Sequence, residues 1–148
     1  MTTKQRLESS LRDAMRSGNE VEKRTIRMAL SNIKFEEINK GNALDETGIS
    51  ALLQKEIKIR REAIEDAIKA NRMDLVKENE AEIKVIEHFL PKQLTEEELR
   101  SLIIELVKET QVSGLADMGK VMKLALARVQ GRAPNDLVSR IVRQVLSG

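Results

Sequence analysis

Cysteine, tryptophan and tyrosine are missing from this 148-residue sequence, and histidine occurs once. The first absence excludes a disulfide framework, a thiolate metal site and a cysteine nucleophile. A lone His88 cannot supply a two-histidine metal motif, and no nucleophile signature near it suggests a catalytic triad within one chain. Phe35 and Phe89 are the only aromatics, too few for the aromatic and β-branched strands of a sheet protein. Nowhere do about 18 uncharged apolar residues run together, and the opening "MTTKQRLESSLRDAMR" is amphipathic and polar. The expectation is therefore a chain with no membrane span, a cytoplasmic location, and no catalytic residue, metal or cofactor.

Hydrophobic residues still make up 41% of the chain and charged residues 34%, enough apolar surface for a packed core of Leu, Ile, Val and Met. That balance favours stacked helices, and periodicity and capping signals predict seven. The first runs from Thr3 to Arg16, with Thr2 and Gln5 spaced as a capping box and Gly18 beyond its end. The second opens at Asn19 and stops at Gly41. It carries Ile26, Ala29, Leu30 and Ile33 on one side and Met28, Phe35 and Ile38 on another, so two packing neighbours are expected for it.

After the loop "GNALDETG", residues 41–48, the spacing predicts a third helix over 49–70 and a fourth over 74–90. The short turn at Asn71 should fold them into a long antiparallel hairpin of about 30 Å. In "FLPKQLTEEEL", Pro91 ends helix four, Thr95 and Glu98 form a capping box, and Leu94 with Leu99 forms a hydrophobic staple. A smaller domain should begin there, dividing the all-α chain into a helical domain at 1–92 and a three-helix tail domain at 93–148. The tail's helices are expected at 95–109, at 117–130 capped by Asp117, and at 135–146, with Pro134 before the last.

"GLADMGKV", residues 114–121, spaces Gly114, Gly119 and Lys120 like a nucleotide-binding phosphate loop. The eighth position must carry a hydroxyl to hold magnesium, and it is Val121. The preceding "ETQVS" is polar and follows a helical pattern where the motif needs a buried strand. The match is coincidental. In helix three, Arg60 falls inside the apolar stripe of Leu53, Ile57 and Ile64, so it needs a partner, either Glu56 one turn earlier or Glu82 across the hairpin. His88 is read as a half-exposed side chain beside the last carbonyls of helix four, rather than as a general base.

From Asp117 onward there are six basic residues against two acidic ones, an asymmetry that can attract phosphate although the whole chain has a formal net charge of only +2. Met118, Val121, Met122, Ala125 and Val129 share the inner side of helix six, leaving Lys120 and Lys123 outside. Helix seven turns Leu137, Val138, Ile141, Val142 and Val145 inward and Arg140 and Arg143 outward. Together with Arg128 and Arg132 these cations could form one surface for backbone phosphates. Gly119 leaves the start of helix six uncovered, either for such an approach or for another helix. With no aromatic in this lobe to stack on bases, recognition would rest on shape and charge, as with a folded RNA.

The stretches "KIRREAIEDAIKANRMDLVKENEAEIKVIEHFLPKQLTEEEL" and "DMGKVMKLALARVQGRAP" closely resemble the YqeY-like proteins. Those are in turn similar to the C-terminal region of the B subunit of the glutamine-dependent aspartyl/glutamyl-tRNA amidotransferase. The resemblance covers essentially the whole chain, "LPKQL" and "DMGKVM" being its most specific parts. It implies a helical domain joined to a small three-helix tail, and in the amidotransferase that tail contacts tRNA. Where family members often continue "GRA" with Asp-Gly, this chain has Pro134 and Asn135.

The resulting expectation is a non-catalytic tRNA-binding or tRNA-metabolism accessory protein. Gly119, Lys120, Lys123, Arg128, Arg132, Arg140 and Arg143 would form its nucleic-acid site, with a tRNA-processing or aminoacylation protein as a further partner. A helical protein-interaction module, marked by Ile59 and Ile104, is the alternative. Glutamine-dependent carbon-nitrogen ligase activity is a label the resemblance carries, for which the sequence offers no glutaminase nucleophile.

Overall fold

The computed structural model describes residues 1–112 and 114–148. Among them are seven α-helices, one short 3-10 turn and no strand. The helices are α1 (Thr3–Ser17), α2 (Glu20–Lys40), α3 (Glu46–Lys69), α4 (Met73–Glu87), α5 (Glu96–Thr110), α6 (Met118–Val129) and α7 (Asn135–Ser147), and the 3-10 turn at Leu115–Asp117 leads into α6. Contacts gather into two compact units, Met1–Leu90 and Pro91–Gly148.

Local chemistry sets the helix ends. Thr2 and Gln5 form the capping box of α1, and Gly18 closes it with a left-handed φ of 76°. α3 starts three residues before its expected first residue because Asp45 accepts a hydrogen bond from the Gly48 N–H at 2.8 Å, a cap that shortens the preceding loop. α4 stops earlier than its apolar stripe suggests. The Phe89 and Leu90 amides turn back to the carbonyls of Ile86 and Glu87, at 3.0 and 3.1 Å. Such tightening fits the position before Pro91, whose ring disfavours helical backbone in the residue ahead of it.

In the first unit, Leu7, Ile26, Ile33, Leu53, Ile57, Ile83, Ile86 and Phe89 form one buried cluster drawn from α1 to α4 and the turn after α4. Arg60 lies within this interior and takes both of its candidate partners. Its Nη1 donates to Glu56 Oε2 at 2.7 Å and its Nε to Glu82 Oε1 at 3.1 Å. The side chains of Arg60, Glu56 and Glu82 are only 6%, 9% and 12% exposed, so the pairing answers a desolvation cost that none of them could bear alone. Asn32 of α2 donates its amide to the remaining Glu56 oxygen, and Arg24 reaches Glu82 at 3.4 Å. Thr25 is buried in α2, and its hydroxyl has no hydrogen-bond partner among the described residues.

The second unit packs α5, α6 and α7 around Leu99, Ile103, Leu106, Val121, Ala125, Val129, Val138, Ile141 and Val142. Thr95 and Glu98 complete their capping box, and Leu94 joins the same core. The Leu94 N–H also donates to the Arg132 carbonyl at 2.7 Å, tying the start of the unit to the corner between α6 and α7.

Candidate nucleic-acid interface

α6 is positioned by its inner residues. Val121, Ala125 and Val129 are fully buried, and Met118, Met122 and Leu126 pack beside them. That periodicity leaves Gly119, Lys120, Lys123, Leu124, Ala127 and Arg128 exposed on the outside. Asp117 does not cap α6 with its side chain, contrary to the sequence expectation. The 3-10 turn instead carries the chain into the helix with Asp117 at φ −94° and ψ 9°, away from the extended conformation in which a cap side chain reaches the first amides. A Cβ built on Gly119 would meet nothing within 4 Å. No described part of the chain comes close there, so helix packing does not account for this glycine.

The cations singled out in the sequence part into two kinds. Lys120, Lys123 and Arg143 make no ion pair or side-chain hydrogen bond with any described residue. The other three are engaged. Arg128 pairs with Glu109, and Arg140 pairs with Glu96 at 3.3 Å. Arg132, in the corner after α6, turns back on the end of that helix, donating to the carbonyls of Val129 at 2.9 Å and Arg128 at 2.8 Å. There it satisfies orphan carbonyls and complements the negative end of α6. The Arg128–Glu109 bond holds the Glu109 carboxyl below its usual range and raises the guanidinium.

Glu96 and Glu109 sit at opposite ends of α5, about 20 Å apart at the helical rise. Arg128 and Arg140 are thus each drawn to an acid at a different end of α5. Sequence asymmetry counted the tail's charges from Asp117 onward, whereas the neutralising acids come from α5, which precedes that window. On the outer face of α6, Lys120 and Lys123 stand one turn apart, and the helix itself carries no acid.

Two further features were not anticipated. α2 does pack against more than one helix, meeting α1, α3 and α4, but the face expected to meet the second of them is open: Met28, Phe35 and Ile38 are 47%, 63% and 69% exposed. Phe35 instead walls a groove between α2 and α3, with a volume of about 430 Å³. The sequence signal for it was the double apolar face of α2, read as two interior contacts. Elsewhere, Ser10, Asp13, Glu22, Lys84 and His88 border a hollow of about 410 Å³. The His88 ring stands edge-on to Phe89 at 5.4 Å, and its carbonyl accepts from Arg6 at 3.2 Å. No hydrogen bond joins the imidazole to Ser10 or Asp13, so these groups form no nucleophile and base relay.

Comparison with known proteins adds a lineage to this geometry. A family model described as Yqey-like protein matches residues 4–146. The chain is 34% identical to the Lachancea thermotolerans protein named "Altered inheritance of mitochondria protein 41, mitochondrial", over 93% of this chain and 78% of that relative. A Pyrenophora tritici-repentis protein of the same name is 31% identical over 95% of this chain and 79% of its own length. One from Vanderwaltozyma polyspora is 38% identical over 57% of this chain and 46% of its own. These relatives are named as mitochondrial proteins, which overturns the cytoplasmic expectation. That expectation rested on the lack of an apolar segment, and the described helices likewise include none long and apolar enough to cross a membrane. Such a lack does not distinguish one aqueous compartment from another.

Proposed function

The chain belongs to the Yqey-like protein family, and from that premise we propose that it is a non-catalytic accessory module of tRNA metabolism whose second unit docks on folded RNA. The observation that carries the reading is the outer face of α6, with Lys120 and Lys123 unpaired among the described residues and Gly119 uncovered at its start. Arg143 supplies a further cation on α7 that is unpaired among the described residues. Arg128 and Arg140 would have to leave Glu109 and Glu96 to join, and Arg132 serves chiefly as the clasp of its corner. No aromatic side chain lies in this unit, so its contacts would be with phosphate and ribose rather than stacked bases. We also propose that the two units are domains divided near residue 92, with α3 and α4 acting as a long antiparallel hairpin.

The test is fluorescence anisotropy of labelled tRNA titrated with the full chain across a salt series. About three engaged cations give a log-log slope of about −2 to −3. Lys120→Glu with Lys123→Glu abolishes most of the binding, while Lys77→Glu in the first unit does not. A flat salt response, or unchanged affinity in the double variant, overturns the reading. Glutamine-dependent amide formation by the purified chain with ATP and mischarged tRNA would instead establish a carbon-nitrogen ligase and displace it.

A further inference from the structure

Arginine carries five N–H donors in a planar fork that suits carboxylate and phosphate oxygens. α5 and α7 bring two such forks to one point. The helices pack together through a shared core that includes Leu99 and Ile103 of α5 and Val138, Ile141 and Val142 of α7. Burial of Leu99 and Ile141 puts their chain neighbours Arg100 and Arg140 at the edge of the seam. Arg140 Nη2 donates across it to Glu96 Oε1 at 3.3 Å, and Arg100 Nη2 lies 3.8 Å from the same oxygen. Four residues further along both helices, Arg100 Nη2 donates to Gln144 Oε1 at 2.9 Å, which fixes that guanidinium at the seam.

One carboxylate oxygen thus sits between guanidiniums from two helices, where the oxygen of a bound anion would sit. Only Nη2 of each arginine is used. Nε and Nη1 of both have no partner among the described residues. Two other acids are near in sequence. The Asp136 carboxylate accepts from the Leu137 N–H at 3.0 Å, and Glu97 is set about 100° around α5 from Glu96. The Glu96, Arg100 and Arg140 side chains are 54%, 41% and 58% exposed, so water screens these pairs and another anion can displace the carboxylate at little cost.

We propose that Arg100 and Arg140 form a phosphate site that Glu96 occupies in the free chain, and that a phosphodiester of docked RNA displaces it. Glu96 is tethered to α5 and engages both arginines through Oε1 alone. A phosphate has no such tether and can take Nη2 together with the idle Nε or Nη1 of each fork, the bidentate geometry that makes such pairs strong. The inference rests on the RNA reading of the second unit and extends it. It adds Arg100, which a charge count from Asp117 onward passes over, and it makes Glu96 a built-in competitor that lowers affinity.

The test uses the full chain. Glu96→Gln should raise tRNA affinity about 3- to 5-fold in the anisotropy titration, the worth of one exposed ion pair. Glu97→Gln makes the same change in net charge and should raise it less than about 2-fold at physiological salt. Arg140→Gln should weaken binding by a factor about 3 to 5 times larger in the Glu96→Gln background than in the parent. Glu97 and Glu98 keep the first turn of α5 acidic, so circular dichroism of Glu96→Gln should match the parent. A second arm titrates inorganic phosphate into nitrogen-15-labelled protein. The Nε–H signals of Arg100 and Arg140 should shift saturably in Glu96→Gln and more weakly in the parent. Equal gains in the two glutamate variants, equal losses from Arg140→Gln in both backgrounds, or no saturable phosphate shift each overturns the proposal, even where Lys120→Glu with Lys123→Glu abolishes tRNA binding and upholds the RNA reading. Saturable phosphate shifts in a chain that binds no tRNA sink that reading and leave the fork standing.

Discussion

Replacing Arg60 with Met would remove the charge at the centre of the first unit while keeping an unbranched side chain of similar reach. Glu56 and Glu82, 9% and 12% exposed at their side chains, would lose the cation that permits their burial. Breaking a buried pair from one side costs about 3–5 kcal/mol. Glu56 keeps the Asn32 amide and Glu82 keeps Arg24, so the expected loss lies near the lower end, about 3 kcal/mol. At a urea dependence of about 1–3 kcal/mol per molar, the midpoint of the unit should fall by between about 1 and 3 M. Native-state hydrogen exchange read by mass spectrometry separates residues 1–90 from 91–148 and shows whether the loss stays in the first unit. A second variant, Arg60→Met with Glu56→Leu and Glu82→Leu, removes the stranded acids and should recover stability to within about 1 kcal/mol of the parent. A loss below about 1 kcal/mol in the single variant, or no recovery in the triple one, would refute the reasoning that the network exists to neutralise buried charge.

Four further outcomes are expected. Thr25→Val removes a buried hydroxyl that has no partner among the described residues and should stabilise the first unit by about 1 kcal/mol in urea denaturation. Thr95→Ala breaks the capping box of α5 and should cost the second unit about 1 kcal/mol, leaving exchange in residues 1–90 unchanged. Gly119→Ala should stabilise α6 by about 0.5 kcal/mol, since a Cβ there meets nothing, yet weaken RNA binding if the backbone is approached closely. Glu37 has its carboxyl held below the usual range, first by the Leu44 N–H and then by Lys4. A depressed folded value means that this contribution is present above the ordinary carboxylate range and lost as pH falls through the folded one. Acid titration by circular dichroism should therefore show a smaller loss of stability at low pH in Glu37→Gln than in the parent.

Helix positions were legible because their signals are local. The caps at Thr2 and Thr95 and the breaks at Gly18 and Gly41 each depend on a few neighbouring residues. Arg60 was legible for a related reason: a charge inside an apolar stripe is conspicuous, and the structure gives it both Glu56 and Glu82. The basic site was less readable. Charge counted along the tail could not reveal that Glu96 and Glu109, from an earlier helix, would take Arg140 and Arg128, because that pairing is decided by packing across α5, α6 and α7. The second face of α2 misled in the opposite way, since apolar periodicity reports that a residue avoids water without saying whose surface covers it. The polar "ETQVS" run supports the dismissal of a phosphate loop through Glu109 and Thr110, which are helical, while its last residue lies outside the described ones.

The exposed trio on α2 separates two kinds of evolutionary constraint within a single helix. Ile26 and Ile33 are fixed by neighbours in the same chain, and any change there must be matched from inside. Met28, Phe35 and Ile38 stay largely open to water, with only the Met28 sulfur held by Arg60, so drift at Phe35 and Ile38 should follow whatever molecule meets them, and lineages that lost that encounter should have let these two become polar without loss of the fold.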